Sequence, residues 1–157
     1  MKRQQLVDKL EKAWAAFQDS YAGLSEAQML QPGVTGDWSV KDILAHVTWW
    51  EEEALKHLPN ILKGARRPRY SVTYGGIDAF NAQMTGLKRD LSLDAVLAQM
   101  QATHARLLQF IDSVPEEHFA REGPFRHGLR LDTYSHYPEH ERAIRASAPR
   151  EPAARDR

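Results

Sequence analysis

His136 and His140 lie four residues apart in Thr133-Tyr134-Ser135-His136-Tyr137-Pro138-Glu139-His140. On an α-helix, positions i and i+4 share a face, so both imidazoles would point the same way. A helix carried from Leu129 through Thr133 to Ile144 and Ser147 sets the pair on the stripe that Leu129 and Ile144 mark as core-facing. A polar pair aimed into a core must be satisfied there, because an unpaired buried polar group costs about 1–3 kcal/mol. One divalent ion would satisfy both rings at once, since neutral imidazole binds zinc, nickel, copper and iron. Pro138 lies between the two histidines and removes the N–H bond to the carbonyl of Tyr134. Either the helix is kinked there, or it starts at Pro138 and His136 precedes it. A late start would spoil the i, i+4 geometry.

A third ligand is needed, and His46 is the best placed. It sits in Trp38-Ser39-Val40-Lys41-Asp42-Ile43-Leu44-Ala45-His46-Val47-Thr48-Trp49-Trp50-Glu51, a predicted helix with Ser39 as cap and Asp42 three residues on. Apolar residues recur at Val40, Ile43, Leu44, Val47, Trp50, Ala54, Leu55 and Leu58, which is helical spacing. His46 falls on the edge of that stripe, where a ring can reach a neighbouring helix. Three protein ligands with an open position describe a catalytic metal site better than a closed structural one. A lone histidine near an apolar stripe is more often a hydrogen-bonded core residue, and His57, His104, His118 and His127 are read that way. His57 shares the His46 flank and could line the same pocket.

These residues need helices to present them. The stretch from Lys2 to Tyr21 carries Leu6, Leu10, Trp14, Phe17 and Tyr21 on one face, and Gly23 stops it. Ser25 caps a short turn through Leu30. The His46 helix is expected to bend or break at Pro59, and 64–76 reads as a connection rich in helix breakers. Helical spacing resumes from Ile77 to about Asp90, and Ser92 reads as a fresh cap that opens either a second half of that helix or a separate one, ending at Val114-Pro115. Residues 116–130 read as loop or one short turn, followed by the His136 helix. Residues 1–147 are therefore read as one all-α domain, a four-helix bundle with short extra helical turns, and 148–157 as a disordered tail. Bundles build metal and cofactor sites from inward side chains on facing helices.

Composition bounds the partners. Lys+Arg and Asp+Glu are 21 each, so the formal charge is zero, which argues against nucleic acid and against a polybasic membrane patch. The short basic run Gly64-Ala65-Arg66-Arg67-Pro68-Arg69 reads as a solvated loop. Cysteine is absent, which removes disulfides, thiolate nucleophiles and Cys-based metal sites together. No apolar run approaches the length of a membrane span. A soluble, cytoplasmic protein is expected.

Gly36-Asp37-Trp38-Ser39-Val40-Lys41-Asp42-Ile43-Leu44-Ala45-His46 followed by Trp50-Glu51, with a late His-x-x-x-His, resembles the DinB/YfiT-like superfamily of metal-binding four-helix bundles. Within it the chain looks most like the ClbS/DfsB branch, to which 77–82 and 132–137 are also similar. The resemblance implies an up-down-down-up bundle with a divalent ion, zinc or nickel, at His46, His136 and His140. It also implies activity toward a small reactive molecule, by hydrolysis or by transfer to a low-molecular-weight thiol.

Two functions are therefore in play. In the first, an ion at the three histidines lowers the pKa of a bound water or thiol. Glu53, on the His46 flank, then serves as general base or orienter, although a solvated carboxylate in the Glu51-Glu52-Glu53 run is the plainer reading. Trp38, Trp49, Trp50, Tyr74 and Tyr137 could line a pocket for a small-molecule substrate. Core packing is the favoured reading of Trp50, whereas Trp49 points off the core stripe and could mark a binding or subunit contact. In the second, the chain is a non-catalytic ligand-binding or dimerising bundle. A homodimer is compatible with both.

Overall fold

A computed structural model describes residues 1–147, so the tail expected over 148–157 lies outside the described residues. Nine helices and no strand are found among them: α1 (Arg3–Tyr21), α2 (Glu26–Leu30), α3 (Val40–Leu62), α4 (Tyr70–Thr73), α5 (Ile77–Lys88), α6 (Leu93–Ser113), α7 (Glu117–Ala120), α8 (Pro124–Asp132) and α9 (Tyr137–Ser147). The all-α bundle expected from the pattern is what the chain forms. The core is continuous, and Leu6, Leu10, Ile43, Leu44, Leu58, Met100, Leu107 and Ile144 are all fully buried in it.

The local signals act as the sequence implies. Ser25 accepts from the backbone N–H of Gln28, Ser39 from Asp42 and Ser92 from Ala95, so each satisfies a donor at an open helix start. Asp42 returns the bond to the Ser39 N–H at 3.0 Å and completes a capping box. That box fixes where α3 starts, and hence which face His46 takes.

α3 is the central element, packed against α2, α5, α6, α8 and α9, while α1 packs against α6 and α9. Its position corrects one expectation. Trp49 is 1% exposed rather than turned to solvent, because neighbours cover α3 on more than the single stripe its periodicity marks. Pro59 does not end α3 either. The helix runs on to Leu62, and the bond Pro59 cannot make belongs to its last turns, where little is lost.

The greatest departure lies between 116 and 137. The segment read as loop holds α7 and the nine-residue α8, which starts with Pro124 in its first turn. Proline is well placed there, since that N–H has no helical partner to lose. The single helix expected from Leu129 to Ser147 is two helices, divided at 133–136. The divide is itself hydrogen-bonded. Ser135 N–H donates to the Arg130 carbonyl at 3.0 Å, and His136 and Tyr137 N–H both donate to the Thr133 carbonyl, at 2.8 and 2.9 Å. Of the two readings of Pro138, the late start is the correct one.

Candidate metal centre

The late start does not separate the histidines. His136 sits on the turn just before α9, and Glu139 N–H donates to its carbonyl at 3.2 Å, so it takes the place of a capping residue. From there His136 Nε2 lies 2.9 Å from His140 Nε2 and 3.0 Å from His46 Nε2. Three rings from two ends of the chain thus aim the same nitrogen at one point, and ligand atoms of all three lie within 4.8 Å of one another. His46 and His140 are 5% and 8% exposed, so most water is excluded.

The three rings cannot satisfy one another. An imidazole nitrogen donates one proton or accepts at one in-plane lone pair, so His136 Nε2 makes one good hydrogen bond, not two. Protonation offers no way out. Burial holds His46 far below the ordinary imidazole range, helped by the adjacent His136 and His140. Burial and the proximity of His140 lower His136 to about 3, and burial lowers His140 to about 4. The set is therefore three neutral rings near pH 7. The Nδ1 atoms of His46 and His136 are buried with no partner among the described residues, which leaves Nε2 as the working atom of both rings. Three neutral nitrogens converging on one point fit a divalent cation. Tetrahedral zinc with Zn–N near 2.0–2.1 Å needs ligand nitrogens about 3.3 Å apart, close to the observed spacing.

The set opens onto a cavity of 660 Å³. Its wall includes Trp38, Trp50, Tyr70, Asn81, Arg67 and Asp132. Trp38 leans on the His46 ring with centroids 4.8 Å apart, and the Trp50 indole N–H donates to Asn81 Oδ1 at 3.1 Å. Arg67 grips Asp132 with two bonds, 2.5 and 3.2 Å long. A cavity of this size and aromatic lining suits a small organic molecule.

The expected site residues divide clearly. Trp38 and Trp50 line the cavity; Trp49 and Tyr137 do not. Trp49 packs edge-on against His46 at 4.9 Å from behind, and Tyr137 is wholly buried, with its hydroxyl on Glu51. Glu53 is buried rather than solvated. Its Oε2 accepts from the Tyr70 hydroxyl at 2.9 Å and meets His57 Nε2 at 3.0 Å, so it faces the cavity only through Tyr70. Tyr74 packs on Phe80 and Tyr70. Sequence reasoning missed Arg67, Tyr70 and Asp132. The first two sit in the segment read as a solvated connection, where Arg67 lies outside any helix and Tyr70 opens the four-residue α4, too short for periodicity to mark.

His104, read as a hydrogen-bonded core histidine, is one, and it is also the centre of a second cluster. Nδ1 meets Glu51 Oε1 at 2.9 Å, Nε2 meets Glu11 Oε1 at 2.7 Å, and its ring stacks on Trp14 at 3.8 Å. Burial alone would lower its pKa, but hydrogen bonds and charge from Glu51 and Glu11 raise it. Burial pushes Glu51 up, against the pull of His104 and Tyr137.

An all-α bundle that converges three histidines, from α3, from α9 and from the turn before α9, on one cavity wall defines the class. The chain belongs to the DinB superfamily, whose family model matches residues 9–142. No curated protein matches its sequence. Among solved structures it is similar to DfsB, the sibling lethal factor precursor, with TM-score 0.75, 16% identity, and 93% of this chain and 94% of that one covered. It is also similar to ClbS, a colibactin self-resistance protein in complex with double-stranded DNA, with TM-score 0.79, 12% identity, and 92% and 94% covered. A Streptococcus pneumoniae protein gives TM-score 0.75 at 17% identity, with 93% and 90% covered.

The ClbS complex corrects the exclusion of nucleic acid drawn from a net charge of zero. A chain of this fold has been seen with double-stranded DNA. A sum over the whole chain also hides local asymmetry: 54–77 holds Lys56, Lys63, Arg66, Arg67 and Arg69 and no acidic residue. Among the described residues no helix is long and apolar enough to cross a membrane.

Proposed function

We propose that this chain is a metal-dependent enzyme, a hydrolase or thiol-dependent transferase, that acts on a small reactive molecule in the cytoplasm. The carrying observation is the convergence of three neutral Nε2 atoms on the wall of an aromatic cavity. His46, His136 and His140 would hold a divalent ion, zinc or nickel. Such an ion supplies Lewis-acid chemistry near neutral pH when bound. The chain's own residues do the rest. Trp38 and Trp50 offer flat apolar faces to the substrate, and Asn81, already held by Trp50, offers a polar edge. Tyr70 presents a hydroxyl to the cavity, and Glu53 accepts its hydrogen bond, so Glu53 orients that proton rather than meeting substrate itself. Self-resistance, the role named for ClbS, supports detoxification as the setting.

The test is metal content, by elemental analysis of untagged protein, for wild type and His140→Ala. About one divalent ion per chain, lost in the variant, is expected. A wild type that takes up neither zinc nor nickel would sink the proposal and leave a ligand-binding bundle. With the ion established, thiols and electrophiles are screened for turnover, and Trp50→Ala should raise KM.

Nucleic acid is a second reading, favoured by the exposed cations Lys63, Arg66 and Arg69 in a segment without acidic residues. Binding of duplex DNA that weakens steeply with salt, and weakens again in Arg66→Ala/Arg69→Ala, is its signature. Binding indifferent to both would discard it.

A further inference from the structure

His46 on α3 and the pair at the start of α9, His136 and His140, form a ligand set only if something fixes the distance between those two helices. Among the described residues, one hydrogen bond other than the histidine contacts joins α3 to α9, the Tyr137 hydroxyl donating to Glu51 Oε1 at 2.5 Å. Its placement is pointed. Tyr137 is next to His136 and three residues before His140, while Glu51 is five residues beyond His46 on α3. Both ends are wholly buried. Glu51 is held in turn by His104 of α6, and His104 by Glu11 of α1. A single chain of hydrogen bonds therefore runs from the surface at Glu11 to the residue beside the metal ligands and touches α1, α6, α3 and α9.

A purely structural role explains this poorly. Tyr137 already packs against Trp14 at 5.1 Å and Phe17 at 6.2 Å, and a phenylalanine would keep both contacts. The hydroxyl instead brings a buried carboxylate with it, and Glu51 Oε2 is left without a partner among the described residues. Hydrophobic residues of similar volume in place of a buried charged pair are often as stable or more so. What the polar pair adds is direction, because a short O–H···O bond to a fixed acceptor sets the first turn of α9 along and around α3. His140 sits on that turn and His136 immediately precedes it.

We infer that Tyr137 and Glu51 are positioning residues for the three-histidine set: their bond fixes how far His136 and His140 stand from His46. This rests on the metal-site reading above. Outer hydrogen bonds that orient a ligand set are worth about 10–100-fold in metal affinity.

The test uses cobalt(II) as probe, added to the metal-free full chain, with affinity read by competition and ligand geometry read from the visible absorption bands. Tyr137→Phe should stay folded, bind cobalt about 10–100-fold more weakly and shift its bands. Should that variant not fold, Glu51→Leu removes the acceptor and is read the same way. Glu51→Gln keeps a carbonyl for the tyrosine and should lie closer to wild type. Phe119→Leu, a cut in the fully buried Phe119 that packs on Phe125, controls for stability alone. It should lower the thermal midpoint and leave cobalt affinity intact. Wild-type affinity and bands in Tyr137→Phe, or an equal loss in Phe119→Leu, would overturn the inference. A wild type that binds no cobalt would instead overturn the metal site itself.

Discussion

Two histidine clusters sit in one core, and the protein treats the same side chain in opposite ways. His104 lies between Glu51 and Glu11, and their charges hold its pKa above the ordinary value. Among the described residues no carboxylate is hydrogen-bonded to His46, His136 or His140; the rings face one another, and burial holds all three below it. Desolvation is the first cause at every one of these rings. What differs is whether a carboxylate is within reach to outweigh it. A histidine given carboxylates holds its proton more tightly, and its two hydrogen bonds tie helices together. Histidines given only each other remain neutral donors, which is the form a metal requires.

The largest expected effect comes from breaking the first cluster. His104→Ala leaves Glu51 buried beside an empty space, still pulled on by Tyr137 alone. Removing one partner of a buried pair costs about 3–5 kcal/mol. Denaturant unfolding should show a loss of that order, with zinc binding weakened only through the tilt of Tyr137. His46→Ala, by contrast, should abolish metal binding and leave the metal-free protein close to wild type in stability, because it removes a buried ring with an unpartnered Nδ1. If the two variants exchange these outcomes, the assignment of one cluster to structure and the other to ligation is wrong.

Acid sharpens the contrast, and the sign differs between clusters. The triad rings titrate lower in the folded chain than in the unfolded one, where imidazole sits near 6.5. The unfolded state therefore binds more protons, and the metal-free protein loses stability as pH falls from about 6.5 toward the folded values of about 4 and about 3. Each ring contributes at most about 1.4 kcal/mol per pH unit in that window. His104 has the opposite sign. Its contribution is fully present below about 6.5 and is lost as pH rises through its raised folded value. Thermal midpoints of metal-free wild type and of His46→Ala/His136→Ala/His140→Ala, followed from pH 7 to pH 4, where the His104 contribution stays in place, isolate the triad. The triple variant should have the flatter curve, and a curve as steep as wild type would mean that other groups carry the acid lability.

The two clusters were not equally visible in the sequence. The triad was legible because its three convergent rings leave a local trace, a His-x-x-x-His and a third histidine on the edge of a patterned helix. Even there the stated geometry was wrong in detail. The pair is not two positions of one continuous helix, and it works because the turn at 133–136 is hydrogen-bonded tightly enough to stand in for a helical turn. The His104 cluster left no such trace. Its partners lie 53 and 93 residues away in the chain, and the Tyr137–Glu51 link spans 86. Nothing in the neighbourhood of a residue reports contacts made at that distance. Trp49 failed for a related reason, since a stripe shows which face is certain to be buried, and a central helix buries more than that face.

The smallest effect belongs to the outer end of the His104 cluster. Glu11 meets His104 Nε2 at 2.7 Å, yet its side chain is 44% exposed, so water screens the charge it supplies. Glu11→Gln removes that charge and keeps a carbonyl oxygen able to accept the same hydrogen bond. An exposed ion pair is worth about 0–1 kcal/mol, and the loss should fall near the middle of that range. It should also shrink when unfolding is repeated in 1 M salt, where the screening length is only about 3 Å. Cobalt affinity should not move, because Glu51 still holds Tyr137. A loss of about 2 kcal/mol or more, more than a screened surface pair supplies, would show that Glu11 rather than Glu51 is the main partner of His104. The buried carboxylate would then belong to Tyr137, and through it to the metal site.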